Sequence, residues 1–364
     1  MYNIWCKWQP LKTVMLGSLY DVSFYENIKN VRIKDALVKI TEESQQELEY
    51  FEKVLKDFGC EVIRPILDKN ERIEDHGDVK GIVPRPPMQP RDSQLVIGNE
   101  LYYTNDDHPS IKEALDKYNP NYKNLYTDDD TFKKTKNTWA PSFTVVGKDI
   151  YYDSYINEKI LNGDTFFDLQ NEKLNDDVKK FRLHKLTIGG HNDAMFHTLK
   201  PGVILSLTNV QTYRETFPGW DVLFLEHQGW NKILDFTKFK KLVRGSWWVP
   251  GEEDNEDFRW FVEYWLKDWV GYVEESVFDV NVLVLDEHHV CVTSYNKEVF
   301  DFLKKHKMEP IIVPWRHRYF WDGGLHCLTL DLFREGEQID YFPGRGDTEI
   351  IDQITRDTPR FKMY

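Results

Sequence analysis

The hydrophobic positions of this chain follow two different periods. Thr13-Val-Met-Leu-Gly17 is a short apolar run closed by glycine, the pattern of a strand. From Ile33 to Phe58 the spacing changes. Leu37, Ile40, Leu48, Phe51, Val54 and Leu55 recur at helical intervals, which predicts one long amphipathic helix. Gly59 is its expected cap, and Cys60-Glu-Val-Ile-Arg-Pro65 reads as the strand that follows. Asp68 to Pro90 is polar and proline-rich, a loop of a length more typical of a functional lid than of a plain connection.

Beyond this point hairpin patterns recur. Pro90–Tyr103 reads as two strands joined at Gly98-Asn99, with Arg91-Asp92 at the entrance of the first. Ser142–Tyr152 repeats the pattern around Gly147, and Asn281–Thr293 repeats it around Asp286. Helices are predicted at Ser110–Tyr118, Phe236–Leu242, Glu256–Val270 and Lys297–His306, and a strand at Gly202–Ser206. The order strand, turn, strand, helix, strand comes back at irregular intervals, which describes an internal repeat of α/β kind.

Composition narrows the function classes. The chain has 364 residues, 15% of them aromatic with 12 Trp, so a large ring-rich core is expected. A net charge of −14 argues against non-specific nucleic-acid binding and against an anionic membrane surface, and it suits a cationic small substrate. No apolar run approaches a membrane span. The first ten residues lack the basic and then apolar order of a signal peptide. The four cysteines have no CxxC pair, which speaks against a disulfide scaffold or a zinc knuckle, and a cytoplasmic location is expected. No Gly-rich phosphate loop is present, and no cofactor or metal is implied. Asp286-Glu-His-His289 has metal-ligating residue types, yet between two apolar runs it reads as a solvated turn. Glu252–Asp257 suits the positive end of the helix after it. Trp260, Phe261, Tyr264, Trp265 and Trp269 fall at helical spacing and read as core, and Gly344-Arg-Gly-Asp347 reads as chance.

Two stretches carry candidate chemistry. In Phe320–Asp331, Gly323-Gly324 lets the backbone pass close to a ligand, and Cys327 follows His326 at the start of an apolar run. A reachable thiolate there can be a nucleophile. A buried cysteine packing as a small hydrophobe fits the same letters. In Leu186–Phe196, His191 and Asp193 would share one side of an extended backbone and form an acid–base and cation-binding pair. An ordinary polar loop is the other reading.

Together these stretches resemble the amidinotransferase family (glycine and inosamine amidinotransferases) of the guanidine-modifying pentein superfamily. The resemblance rests on Trp8–Gly17, Pro90–Glu100, His191–Phe196, Lys200–Ser206, Asn281–Glu287 and Gly323–Cys327, in that order and spacing. It implies a pentein α/β-propeller, five ββαβ-type modules around a pseudo-fivefold axis, with residues 1–364 as a single domain. It also implies roles. Asp92 and Asp193 match two carboxylates that clamp a planar guanidinium through charge-assisted bonds. Arg91 belongs with these substrate-binding residues. Cys327 attacks the central carbon and His191 protonates the departing amine. The partners implied are a guanidino donor such as arginine and an amine acceptor, with no nucleic acid and no membrane; a homodimer is left open.

Two departures qualify the resemblance. The family has a carboxylate that partners the catalytic His just before the hairpin matching residues 142–152. Here that place reads Trp139-Ala140-Pro141-Ser142, with no Asp after Trp139. Either another acid fills in, or the enzyme is slow, or the site binds without reacting. At the acceptor end, a gapless count puts Val210 where glycine amidinotransferases have an Arg for the substrate carboxylate. Glu274 and Glu275 fall where the acceptor pocket has small hydroxyl residues. Glu275 would repel a carboxylate and favour an amine, so glycine is not the expected acceptor. A guanidine hydrolase of deiminase type and a catalytically impaired guanidino-binding or interaction protein are the alternative readings.

Overall fold

The computed structural model describes residues 1–73, 83–103, 108–120, 140–153, 181–187, 191–207, 213–225, 238–244, 247–270, 277–346 and 352–354. Its strands run β1 Leu11–Leu16, β2 Glu61–Ile63, β3 Gln94–Ile97, β4 Glu100–Tyr103, β5 Phe143–Val146, β6 Asp149–Asp153 and β7 Arg182–Thr187 in the first half. The second half adds β8 Phe196–Lys200, β9 Val203–Ser206, β10 Asp221–Phe224, β11 Leu283–Val284, β12 His289–Val292, β13 Glu309–Ile312, β14 Thr329–Arg334 and β15 Asp352–Ile354. Among the described residues they form five sheets, ordered β14-β1-β2, β3-β4, β15-β7-β6-β5, β10-β9-β8 and β11-β12-β13. Four of the five share one plan: a central strand pairs antiparallel on one side and parallel on the other. This is the repeat predicted from the hairpin patterns. Gly98 and Gly147 turn two of the hairpins at φ of 57° and 62°, values that favour glycine. The first sheet is closed by distant partners, since Leu11 of β1 pairs with Arg334 of β14.

The long helix α1, Val31–Asp57, bridges β1 and β2. Asn30 caps it by accepting hydrogen bonds from the Arg32 and Ile33 amides. Gly59, at φ +94°, ends it with its amide on the Lys56 carbonyl. Of the predicted stripe, Leu37, Ile40, Leu48, Phe51 and Leu55 are buried and Val54 is half-buried, and Ile33 joins the buried face. The same helix also carries a polar grip. Glu43 accepts from His317 at 2.6 Å, Glu47 accepts from the Arg316 amide and side chain, and Ser44 Oγ accepts from the Trp321 indole at 2.8 Å. These contacts hold residues 316–321 immediately before Gly323-Gly324.

Two expectations change. The helix predicted over Glu256–Val270 stops at Trp265. Trp269 leaves the helical stripe to donate its indole N–H to the Val83 carbonyl, 3.1 Å away, and to stack on Trp321. The aromatic run is only partly core: Phe261 and Trp269 are buried, whereas Trp260 and Tyr264 are 53% and 62% exposed and stack on each other. Residues 236 and 237 and the centre of the Asp68–Pro90 loop lie outside the described residues, and residues 240–242 are turn rather than the predicted helix. No helix among the described residues is long and apolar enough to cross a membrane. Asp286 accepts from the His288 and His289 amides and from the His289 ring, so this turn satisfies itself. Arg345 is committed to Asp149 and Tyr151, and Asp347 lies outside the described residues.

Asp331 is the buried junction of the first sheet. Its carboxylate accepts from Arg334 Nε at 2.7 Å and from an Arg91 Nη at 2.6 Å. Arg334 also donates to the carbonyls of Gln9 and Val284, each at 2.7 Å. Burial alone would raise the Asp331 pKa, but Arg334 and Arg91 outweigh it and hold the acid down at about 2. Because the folded value is depressed, the pair's stabilisation is fully present above the unfolded pKa near 4 and is lost as pH falls towards 2. Arg334→Leu is expected to cost about 3–5 kcal/mol in urea unfolding at pH 7, the scale for breaking a buried ion pair. The difference between variant and wild type should narrow below pH 4. A loss under about 1 kcal/mol, the scale of an exposed pair, would show that Asp331 does not depend on Arg334.

Candidate active site

The site forms where three chain segments meet. The first is the turn Pro90–Asp92, which leads into β3. Gln89 donates to the Trp321 carbonyl and an Arg85 Nη donates to it at 2.7 Å, while Arg91 Nε donates to the His326 carbonyl at 2.8 Å. Arg91, expected with the substrate-binding residues, is thus engaged in joining this turn to His326 and Asp331.

The second segment is not extended, as the sequence reading supposed. His191 has extended backbone, but Asn192–Met195 forms a single helical turn. Asn192 anchors that turn by donating to the Tyr151 carbonyl at 3.1 Å. The alternation argument for His191 and Asp193 therefore does not apply. Both side chains nevertheless act electrostatically on Asp92.

The third segment carries Cys327. Gly323 and Gly324 are required by close approach. A Cβ on Gly324 would lie 2.8 Å from the Asn281 carbonyl oxygen, and one on Gly323 would lie 3.1 Å from the Cys327 Cβ. Asn281 organises the turn. Its Oδ1 accepts from the His326 and Cys327 amides, both at 3.1 Å, and its Nδ2 lies 3.0 Å from Cys327 Sγ. Cys327 Sγ also stands 3.6 Å from Asp193 Oδ2, which is bonded at 2.7 Å to His326 Nδ1.

Sequence reasoning missed Asn281, His326 and Asp322 as site residues. The signals were the glycine that needs room beside Asn281 and the Asp-Gly-Gly run. Asp322 is a non-glycine residue at φ 56°, the left-handed region. Trp139, Val210, Glu274 and Glu275 lie outside the described residues.

The site is rich in unmatched negative charge. Asp92, Asp193 and Asp322 each have a buried Oδ1 without a hydrogen-bond partner among the described residues. Burial pushes the Asp92 pKa up to about 6; Asp193 and Asp322 add to the rise, and His191 and Arg85 oppose it. Burial likewise raises Asp322 against the pull of Arg85 and His191. The Cys327 thiol is pushed well up by burial and then by Asp193 and Asp92, while the Asn281 bond works the other way. The other thiols also rise through burial, Cys60 to about 11. Without a cation the site therefore holds a protonated thiol.

No family model matches the chain. It is 27% identical over 152 residues to the mitochondrial glycine amidinotransferase of Xenopus laevis, covering 42% of this chain and 28% of that protein. It is 26% identical over 209 residues to the L-arginine:L-lysine amidinotransferase of Pseudomonas savastanoi pv. phaseolicola, covering 56% and 46%. The match thus spans less than half the length of these relatives. In structure it is similar to a Microseira wollei amidinotransferase of the saxitoxin biosynthetic pathway, with 20% identity, 94% and 99% coverage and a TM-score of 0.61. The inosamine-phosphate amidinotransferase of Streptomyces griseus gives 16% identity, the same coverage and a TM-score of 0.59. The chain shares their mixed α/β fold.

Asp322 combines a left-handed backbone with a buried, unmatched carboxylate oxygen. Asp322→Gly is expected to raise stability by about 1–2 kcal/mol, the scale of a left-handed residue's penalty. Urea unfolding measures it, and a lower midpoint for the variant would show that Asp322 is held by net favourable contacts.

Proposed function

Because this chain is related to the amidinotransferases of the pentein superfamily, we propose that it moves an amidino group from arginine or another guanidino donor to an amine acceptor through a covalent Cys327 intermediate. The observation that carries the reading is a buried thiol between Asn281 Nδ2 and Asp193 Oδ2, beside unmatched carboxylate oxygens of Asp92 and Asp193. A guanidinium is planar and cationic, with N–H groups that suit carboxylate oxygens. Entering between Asp92 and Asp193, it neutralises the charge that keeps the thiol protonated. The thiol loses its proton and Sγ bonds to the central carbon. The C–N bond to the ornithine side chain breaks as His191 protonates the departing nitrogen. The acceptor amine then attacks the amidino carbon, His191 takes its proton, and the C–S bond breaks to restore the thiolate.

The finer architecture belongs to the same proposal. Five sheets, four of them on one plan, support five modules around a common axis, formed by one domain. The acceptor is read as an amine without a neighbouring carboxylate, on the strength of Glu275 in the sequence.

Cys327→Ala should abolish turnover, and the wild-type protein incubated with arginine should gain the mass of one amidino group on Cys327. Full turnover by the alanine variant would sink the nucleophile assignment. Labelled ornithine with an amidinated amine is the expected product, whereas citrulline would favour hydrolysis. Asp92→Asn and Asp193→Asn should each weaken guanidino-ligand binding by roughly 1.5–3 kcal/mol in calorimetry, the scale of a hydrogen bond to a charged group. Wild-type affinity should fall as pH drops below about 6, where Asp92 takes up its proton; unchanged affinity from pH 7 to 5 would remove Asp92 from the clamp.

A further inference from the structure

Asp193, which the reaction described above uses, also borders a second space. It is a cavity of about 40 Å³ with a largely apolar wall that includes Ile4, Leu95 and Val145, and with Lys7, Arg91, Asp193, His326 and Asp331 as its polar side. That volume accommodates roughly three or four waters, at about 10–15 Å³ each by this measure. Several side chains around it are more than nine-tenths buried and carry polar atoms with no partner among the described residues: Lys7 Nζ, Asp193 Oδ1 and His326 Nε2. Both ring nitrogens of His197, whose ring packs edge-on against His326 at 4.8 Å, are also unmatched. Buried polar atoms are rarely left unmatched, so several of them on residues around the polar side of one small cavity call for water between them.

We propose that Lys7 is the acceptor of the Cys327 proton, reached through Asp193 and water in this cavity. The route begins at the thiol, 3.6 Å from Asp193 Oδ2. It continues through the Asp193 carboxylate, whose residue lines the cavity together with Lys7. The step balances without a co-reactant: the S–H bond breaks, Sγ keeps the electron pair, and the neutral Lys7 amine becomes an ammonium. The inference rests on the amidino-transfer reading only for why the thiol must ionise.

The charged surroundings suit a lysine that changes state. Burial pulls Lys7 down to about 7; Asp193 and Asp331 raise it, and Arg91 and Arg334 lower it. Arg91 and Arg334 are themselves tied to Asp331. His197 and His326 are both pushed well down by burial, which leaves them neutral neighbours rather than rival cations. Near neutral pH a fraction of Lys7 is thus free to accept a proton, and below that it is not.

The test compares wild type, Lys7→Met and Lys7→Arg. Arginine keeps the positive charge but cannot serve as a neutral base. The readout is alkylation of Cys327 by iodoacetamide with millimolar methylguanidine present, followed by mass spectrometry from pH 5.5 to 9. This readout does not need turnover, so failure of the arginine adduct in wild type would bear on the transfer reading and leave this test intact. Both variants should alkylate at least tenfold more slowly than wild type at pH 8, and both should lose the wild-type rise in rate around pH 7. Wild-type behaviour of Lys7→Arg, with or without a defect in Lys7→Met, would overturn the proposal, because charge or packing alone would then account for Lys7. Thermal unfolding of each variant confirms that it is folded, and should one variant fail to fold, the other decides on the same criterion.

Discussion

The carboxylate of Asp331 is the reference point of this molecule. It is buried, it accepts from two arginines, and each arginine fastens a different part of the chain. Through Arg334 it ties β14 to the Gln9 and Val284 carbonyls, and through Arg91 it ties the turn before β3 to the His326 carbonyl. Planar guanidinium groups with several fixed donors can do this where a lysine could not. Cys327 lies between His326 and Asp331 in the sequence, so both ends of its short segment are pinned by one network. The polar face of α1 pins the approach from the other side through Ser44 and Glu47. The position of the thiol is a property of this lattice of buried charges more than of the apolar core.

That rigidity lets the site hold an unfavourable arrangement. Carboxylates cluster around a thiol with too few cations to match them, and burial raises the pKa of Asp92 and of Cys327 together. Left to relax, such groups would separate or find water. Held in place, they form a compartment that holds the thiol protonated in the absence of a cation. In the proposed reaction selectivity and activation would have one physical origin, since the cation that fits would also be the one that makes the sulfur reactive.

Much of the architecture was legible in the chain because it depends on local rules. The stripe from Ile33 to Leu55, the turns at Gly98 and Gly147 and the helix before His306 all follow from spacing and turn chemistry. The Glu256 helix was misjudged at its end because Trp269 obeys a tertiary demand, a hydrogen bond to Val83, that no local period reveals. The site divides in the same way. Cys327, His191, Asp92 and Asp193 stand in recognisable stretches. Asn281 opens such a stretch too, yet an Asn before an apolar run looks like an ordinary edge residue, and Lys7, between Cys6 and Trp8, looks like a surface one. Their surroundings come from residues distant in the sequence, as do the contacts of Arg91 with His326 and Asp331.

The pairing of β1 with β14 has a consequence for how the protein comes into being. Leu11 finds its strand partner at Arg334, and the bridges from Asn3 to Phe333, Ile4 to Gly98 and Cys6 to Val146 carry the first segment across three sheets. Contacts of such long sequence separation form late and slowly, after loop closure over most of the chain. On a ribosome, β1 can pair with β2 early, but its second partner is absent until synthesis has passed Arg334. Until the two distant strands meet, the segment that carries Asp331 and Arg334 has no β1 to pair with.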